Sequence, residues 1–243
     1  MRKILIFPFI LLFFLMGCSA DSDSNSRIDG VGGSLAIFAL SGNYLYTVDE
    51  SKLNVFSLLN QNEPVKVNDI PIGWNIETLF ANGDKLYIGS RNGMFIYSIA
   101  NPENPVKLSE AQHFTACDPV VANDTHSFVT LHSNTNCGNN LNVLMVYETT
   151  DATNPQLIHQ RNLVSPKGLG LYDNYLFVCD DVIKIFDVRN PENPVLVKSL
   201  NVQAFDVIIT GNNLFTIGEN DLQRFSLNPS DVNDIEHLSQ INF

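Results

Sequence analysis

Apolar residues in this chain come in short runs, rich in β-branched and aromatic side chains and bounded by Gly, Asn, Asp or Pro. In the first part of the repeating region the runs lie near 34–40, 44–49, 53–58 and 64–70. Runs of that length and composition predict strands. No segment sustains a helical period with caps at its ends.

The runs recur with a fixed signature. A Gly or Asp opens a turn and an aromatic follows four residues later: Gly42 and Tyr46, Gly83 and Tyr87, Asp124 and Phe128, Asp173 and Phe177, Gly211 and Phe215. The turns are 41, 41, 49 and 38 residues apart. The turn residue tolerates tight backbone, and the apolar pair behind it enters a core. A second signature is locked to the first. An aromatic is followed eight residues later by proline at Phe56/Pro64, Tyr97/Pro105, Tyr147/Pro155 and Phe186/Pro194. The fifth copy, Phe225 to Asn233, lacks the proline. Four strands recurring about every 42 residues predict β-propeller blades, since one blade alone cannot bury both faces. The expected architecture is all-β: a β-propeller of about five four-stranded blades. Its units are about 32–73, 74–116, 117–165, 166–203 and 204–243. No strand is left over to complete a split blade. Closure then rests on packing of blade five on blade one, and an open arc that dimerises is the alternative.

The strand Ile183–Val188 with the following Asn190-Pro-Glu-Asn-Pro194, a turn repeated at Asn101–Pro105, resembles the LVIVD repeat of bacterial surface proteins. The resemblance extends over roughly 32–243. It implies a propeller and a lipoprotein address, and it implies no activity.

The N-terminus has its own pattern. Met1-Arg2-Lys3 precedes an apolar run, Ile4–Leu15, broken only by Pro8, and then Gly17-Cys18. A basic start, a run too short to span a bilayer and a small residue before Cys are the plan of a lipoprotein signal peptide over 1–17, with lipid on Cys18. Residues 18–31 are polar and read as a flexible tether. Asp21 and Asp23 fit either an export signal to the cell exterior or a plain linker. The expected location is the cell envelope, as an outer-membrane lipoprotein held by its lipid.

Charge sharpens this. The chain has 14 basic and 26 acidic residues, net −12. Loss of 1–17 removes Arg2 and Lys3, so 12 basic residues face 26 acidic ones and the mature charge is −14. Nucleic acid is excluded as a partner, and so is basic-patch binding to anionic lipid.

Of four cysteines, Cys18 is assigned to lipid. Cys117 and Cys137 share the unit with the stretched spacing, and a disulfide between them pins its long polar loop, for about 3 kcal/mol in the chain-entropy model. Cys179 lies in a strand and reads as core.

Motifs for chemistry are absent. There is no phosphate loop, nucleotide fingerprint, zinc helix, nucleophile elbow or calcium loop. The five histidines show no metal-ligand spacing. No cofactor, metal or catalytic residue is assigned. One cluster emerges from the repeat register. Glu77, Asp118 and Lys167 stand six residues before their turn anchors and Asp206 five before its own, with Trp74 nearby, and they converge on the axis if all point inward. Such a ring holds a cation, a sugar or water. Two functional classes follow. One is a non-enzymatic binding or scaffolding module, with a narrow channel and an apolar patch elsewhere. The other is a glycosidase or lyase, with two carboxylates converging in an axial pocket. Neither a protein nor a glycan partner is identified by sequence.

Overall fold

The computed structural model describes residues 32–60, 62–112, 119–132 and 141–243. Cys18, Cys117, Cys137 and Asp118 lie outside them, and so does the whole signal peptide and tether. Among the described residues there is no helix. Five four-stranded antiparallel sheets form instead, each running in sequence order from inner to outer strand.

Blade one comprises β1 (Phe38–Ser41), β2 (Tyr44–Val48), β3 (Lys52–Ser57) and β4 (Val65–Pro71). Blade two comprises β5 (Ile76–Asn82), β6 (Lys85–Ser90), β7 (Gly93–Ser98) and β8 (Val106–Gln112). Blade three comprises β9 (Val120–Ala122), β10 (His126–Leu131), β11 (Val143–Glu148) and β12 (Gln156–Asn162). Blade four comprises β13 (Leu169–Tyr172), β14 (Tyr175–Cys179), β15 (Ile183–Asp187) and β16 (Val195–Leu200). Blade five comprises β17 (Asp206–Thr210), β18 (Asn213–Ile217), β19 (Asp221–Asn228) and β20 (Asp231–Asn242).

The two sequence signatures have distinct structural jobs. Gly42, Gly83, Gly211 and Asp173 all have left-handed backbone, with φ of 55°, 59°, 52° and 49°. They sit in the two-residue turns that join the first pair of strands, where a primed hairpin demands positive φ. In blade three the turn closes between Asn123 and His126 without a left-handed residue. There the Asn123 carboxamide accepts from the Thr125 and His126 amides instead. The aromatics of the second signature follow a β-bulge that recurs in all five blades, before Phe56, Tyr97, Tyr147, Phe186 and Phe225.

The Asn/Pro-rich turn is a latch. In blade one, Asn68 on β4 donates to the Glu103 carbonyl in the turn of blade two at 2.8 Å. Ser109 on β8 donates to the Ala152 carbonyl of blade three at 2.6 Å. His159 on β12 meets the Glu192 carbonyl of blade four at 2.9 Å. Lys198 on β16 donates to the Asn233 carbonyl of blade five. Each of these four outer strands thus grips the turn of the next blade, which satisfies carbonyls that a tight turn leaves unpaired.

Both faces of each blade are apolar, and the buried clusters lie between blades. One joins blades one and two around Tyr46, Leu53 and Leu86. A second joins two and three around Tyr87, Ile96 and Val129. A third joins three and four around Phe128, Leu176 and Phe186. A fourth joins four and five around Phe177, Leu214 and Phe225. Among the described residues no such cluster joins blades five and one. Repeat register locates the gap. Tyr46, Tyr87, Phe128 and Phe177 are fully buried, yet their equivalent Phe215 is only partly buried. Leu86, Leu176 and Leu214 are fully buried; Leu45 is not. Phe56 is likewise the partly exposed member of its aromatic series. Phe56 and Leu45 are on the face of blade one turned away from blade two, and Phe215 is on the face of blade five turned away from blade four. A cavity of about 460 Å³ remains in this seam, lined by Leu35, Phe38, Leu40, Phe205 and Ile208.

Hydrogen bonds, not side-chain packing, hold the seam at its inner edge. Ser34 donates to the Asp206 carboxylate at 3.1 Å and the Leu35 amide to the same group at 3.4 Å. The Leu169 amide donates to the Ser34 hydroxyl at 2.7 Å, and the Leu79 amide to the Ala36 carbonyl at 2.7 Å. Residues 33–36 therefore form a strap that reaches blades two, four and five. Gly168 lets the inner strands close on Asp206: a Cβ there would come within 2.8 Å of the Asp206 Cα.

Candidate functional site

The axial channel is narrow. Its cavity of about 180 Å³ is lined by inner-strand residues such as Phe80, Val121, Leu169, Leu171, Val207 and Ile209. Asp118 lies outside the described residues, and none of the other four candidates, Trp74, Glu77, Lys167 and Asp206, lines it.

Those residues are dispersed. Trp74, in the connection between β4 and β5, is 78% exposed. Glu77 lies at a bulge in β5 and accepts from the Arg91 guanidinium at 2.8 Å. Lys167 lines a cavity between blades four and five. Asp206 lines the seam. Lys167 and Asp206 were one register position apart, and successive residues of extended chain point to opposite sides. That alternation sends them to different cavities.

Asp206 is the electrostatic feature of the seam. Burial raises its carboxyl pKa to about 6, and hydrogen bonds from the Val207 amide, Ser34 and the Leu35 amide only partly offset that cost. Cys179, also buried, is a free thiol whose pKa is pushed far up by desolvation and then by the Asp206 charge. It is a core residue, not a nucleophile.

The cavity holding Lys167 has a volume of about 680 Å³. It opens at the end of the propeller where the β16–β17 connection and the β14–β15 and β18–β19 turns meet. Asp180 builds its rim. Its side chain is fully buried and accepts from the Val164 amide at 3.0 Å, from the Ser165 amide and from the Lys184 ammonium. Lys184 also pairs with Asp181 at 2.7 Å. Burial opposes the lysine's charge, but bonds to these two aspartates outweigh it and raise its pKa. Beside the rim, burial and then the Lys167 charge lower the His132 pKa, so the imidazole is neutral near pH 7.

Across the cavity the Asp221 carboxylate accepts from the Gln223 amide at 2.7 Å and the Gln240 amide at 3.1 Å. The Gln240 amide also donates to the Asn242 side-chain oxygen at 2.8 Å. Asn201, Gln203 and Asn220 complete a lining of six carboxamides, with Phe205 and Phe243 at its margin. No motif in the sequence singles out Asp180 or this group. One clue was present: Asp49, Ser90 and Asp180 all stand seven residues after the turn anchor, and Asp49 likewise caps the Ser51 and Lys52 amides. Among the described residues no group of three or more His, Cys, Asp or Glu gathers as a metal site.

Comparison with known proteins settles the repeat. Residues 167–202 match the LVIVD repeat. The chain is a propeller that carries an LVIVD repeat. No curated protein matches it. Among solved structures it is similar to the periplasmic gluconolactonase of Pseudomonas aeruginosa, with 13% identity, a TM-score of 0.62, and coverage of 83% of this chain and 68% of that one. A protein from Lactobacillus plantarum matches at 8% identity and TM-score 0.67 over 82% of this LVIVD-repeat chain and 67% of its own. BamB from Moraxella catarrhalis matches at 8% and 0.53, over 84% and 57%. At such identities the likeness is one of fold.

Proposed function

We propose that this LVIVD-repeat propeller is a non-enzymatic binding module of the bacterial cell envelope, held to the membrane by lipid on Cys18 and offering the blade four–five end to a ligand. One observation carries the reading. The axial channel is narrow and apolar, and the carboxylates of the large cavity are mostly engaged in structural bonds. Asp180 holds a loop and a lysine; Asp221 holds two glutamines; Asp181 holds the same lysine. A glycosidase or lyase needs an acid and a base free to exchange protons across a substrate. That reading is therefore weaker. The exposed Ile37 and Phe38 beside the seam supply the apolar patch that a scaffold presents.

The anchor is tested directly. Cells expressing the full chain with a radiolabelled fatty acid should label the protein, and Cys18→Ser should abolish both label and membrane retention. A Cys18→Ser protein that still pellets with membranes sinks the lipid-anchored reading.

A further inference from the structure

We infer that the blade four–five cavity binds a neutral glycan; this deepens the binding-module reading and depends on it. The cavity volume, about 680 Å³, falls within the range of about 300–1,000 Å³ common for small-ligand sites. Its lining sets the chemistry. A carboxamide offers two donors and an acceptor without charge, which suits hydroxyl groups that both donate and accept. Gln223 and Gln240 are held in place through their amide nitrogens by Asp221, and their carbonyl oxygens have no partner among the described residues. Asn201, Gln203 and Asn220 add three more such groups.

Two aromatic rings flank this polar floor. Phe205 is 37% exposed and Phe243 is 71% exposed. The Phe243 backbone is nonetheless fixed, because its amide donates to the Asn220 carbonyl at 3.0 Å. An exposed ring on fixed backbone is a ready platform for the C–H face of a pyranose, which is apolar between its hydroxyl groups.

Charge excludes the competitors. The lining carries Asp180, Asp181, Glu219 and Asp221 against the single ammonium of Lys167. Phosphorylated or uronic ligands meet net repulsion there. A peptide would seek pockets for its side chains, and the only aliphatic lining residues are Val202 and Ala204. A neutral polyhydroxyl chain meets no such objection.

Titration calorimetry on the full chain in detergent tests this, with maltohexaose, cellohexaose and chitohexaose as neutral probes. Hexagalacturonate and pentaglycine represent the excluded classes. At least one neutral hexasaccharide should bind saturably, with Kd of about 1 mM or tighter. Gln223→Ala with Gln240→Ala should weaken it about tenfold or more, the loss of two hydrogen bonds. Phe243→Ala, at an exposed side chain, should weaken it severalfold while leaving the melting temperature unchanged. The inference is overturned by no binding of the neutral probes, by binding that these variants leave intact, or by tighter binding of hexagalacturonate or pentaglycine. Those failures are separate from a failure of the envelope reading, which the Cys18→Ser experiment reports alone.

Discussion

Asp206 shows how one carboxylate ties a ring together at a cost. It sits under Gly33 and Gly168, so close that a Cβ on either glycine would fall 2.1 Å from its oxygens. Burial raises its pKa to about 6, well above that of an unfolded aspartate. A carboxyl with a raised folded-state pKa stabilises the fold fully below its unfolded value, and that contribution is lost as pH rises through the folded value. Between about pH 4 and pH 7 the protein should therefore lose up to ~3 kcal/mol from this group alone. Asp206→Asn keeps an oxygen for Ser34 and Leu35 but cannot ionise. Denaturant melts from pH 4 to 7.5 should show the wild-type decline flattened in Asp206→Asn, and an unchanged pH slope would remove Asp206 as its source. At this scale the sequence was only partly readable. Asp206 opens the inner strand β17 and Lys167 lies just before the inner strand β13, but a register one residue apart decides which side a group faces. Only the folded twist shows where each side leads.

At the scale of the strand and blade, the repeat makes strong comparative predictions because equivalent residues differ in burial alone. Leu86 and Leu45 occupy the same position in blades two and one; Leu86 is fully buried and Leu45 is not. Leu86→Ala should cost about 2–5 kcal/mol, the usual range for emptying a packed site. Leu45→Ala should cost well under half of that, as read from urea midpoints. Equal losses would show that the seam is sealed in solution. The strands and their turns were legible in the sequence, because the 41-residue spacing and the eight-residue aromatic-to-proline distance are local and repeated; the latches, which join different blades, were not. The unsealed junction was not. Leu45, Phe56 and Phe215 are the same residue types as their buried counterparts, and closure depends on rotation summed over the whole ring. No single unit contains that quantity.

At the scale of the whole molecule, four sealed junctions and one strapped junction make an uneven ring. Local opening follows the weakest interface, where buried apolar contact is least. Amide hydrogen exchange should be fastest among the structured strands at β1 and β17, and slowest at β6, β10 and β14. Uniform protection across all five inner strands would contradict the seam. The same unevenness separates two duties. The polar cavity lies at the junction of blades four and five, which is fully cored, so a ligand there meets a firm wall. The junction of blades five and one is left to yield, and only Phe205 lines both cavities.

The latches have a further consequence, for the order of assembly. Each one runs in a single direction, from the outer strand of a finished blade to the turn of the blade that follows it in the chain. A ribosome releases the chain in that same direction. Every new blade therefore emerges beside a predecessor whose outer strand already presents the group that grips its turn. The propeller can be completed like a zip, one blade at a time. The strap of residues 33–36 meets Asp206 only at the end, when the last blade arrives to close the circle.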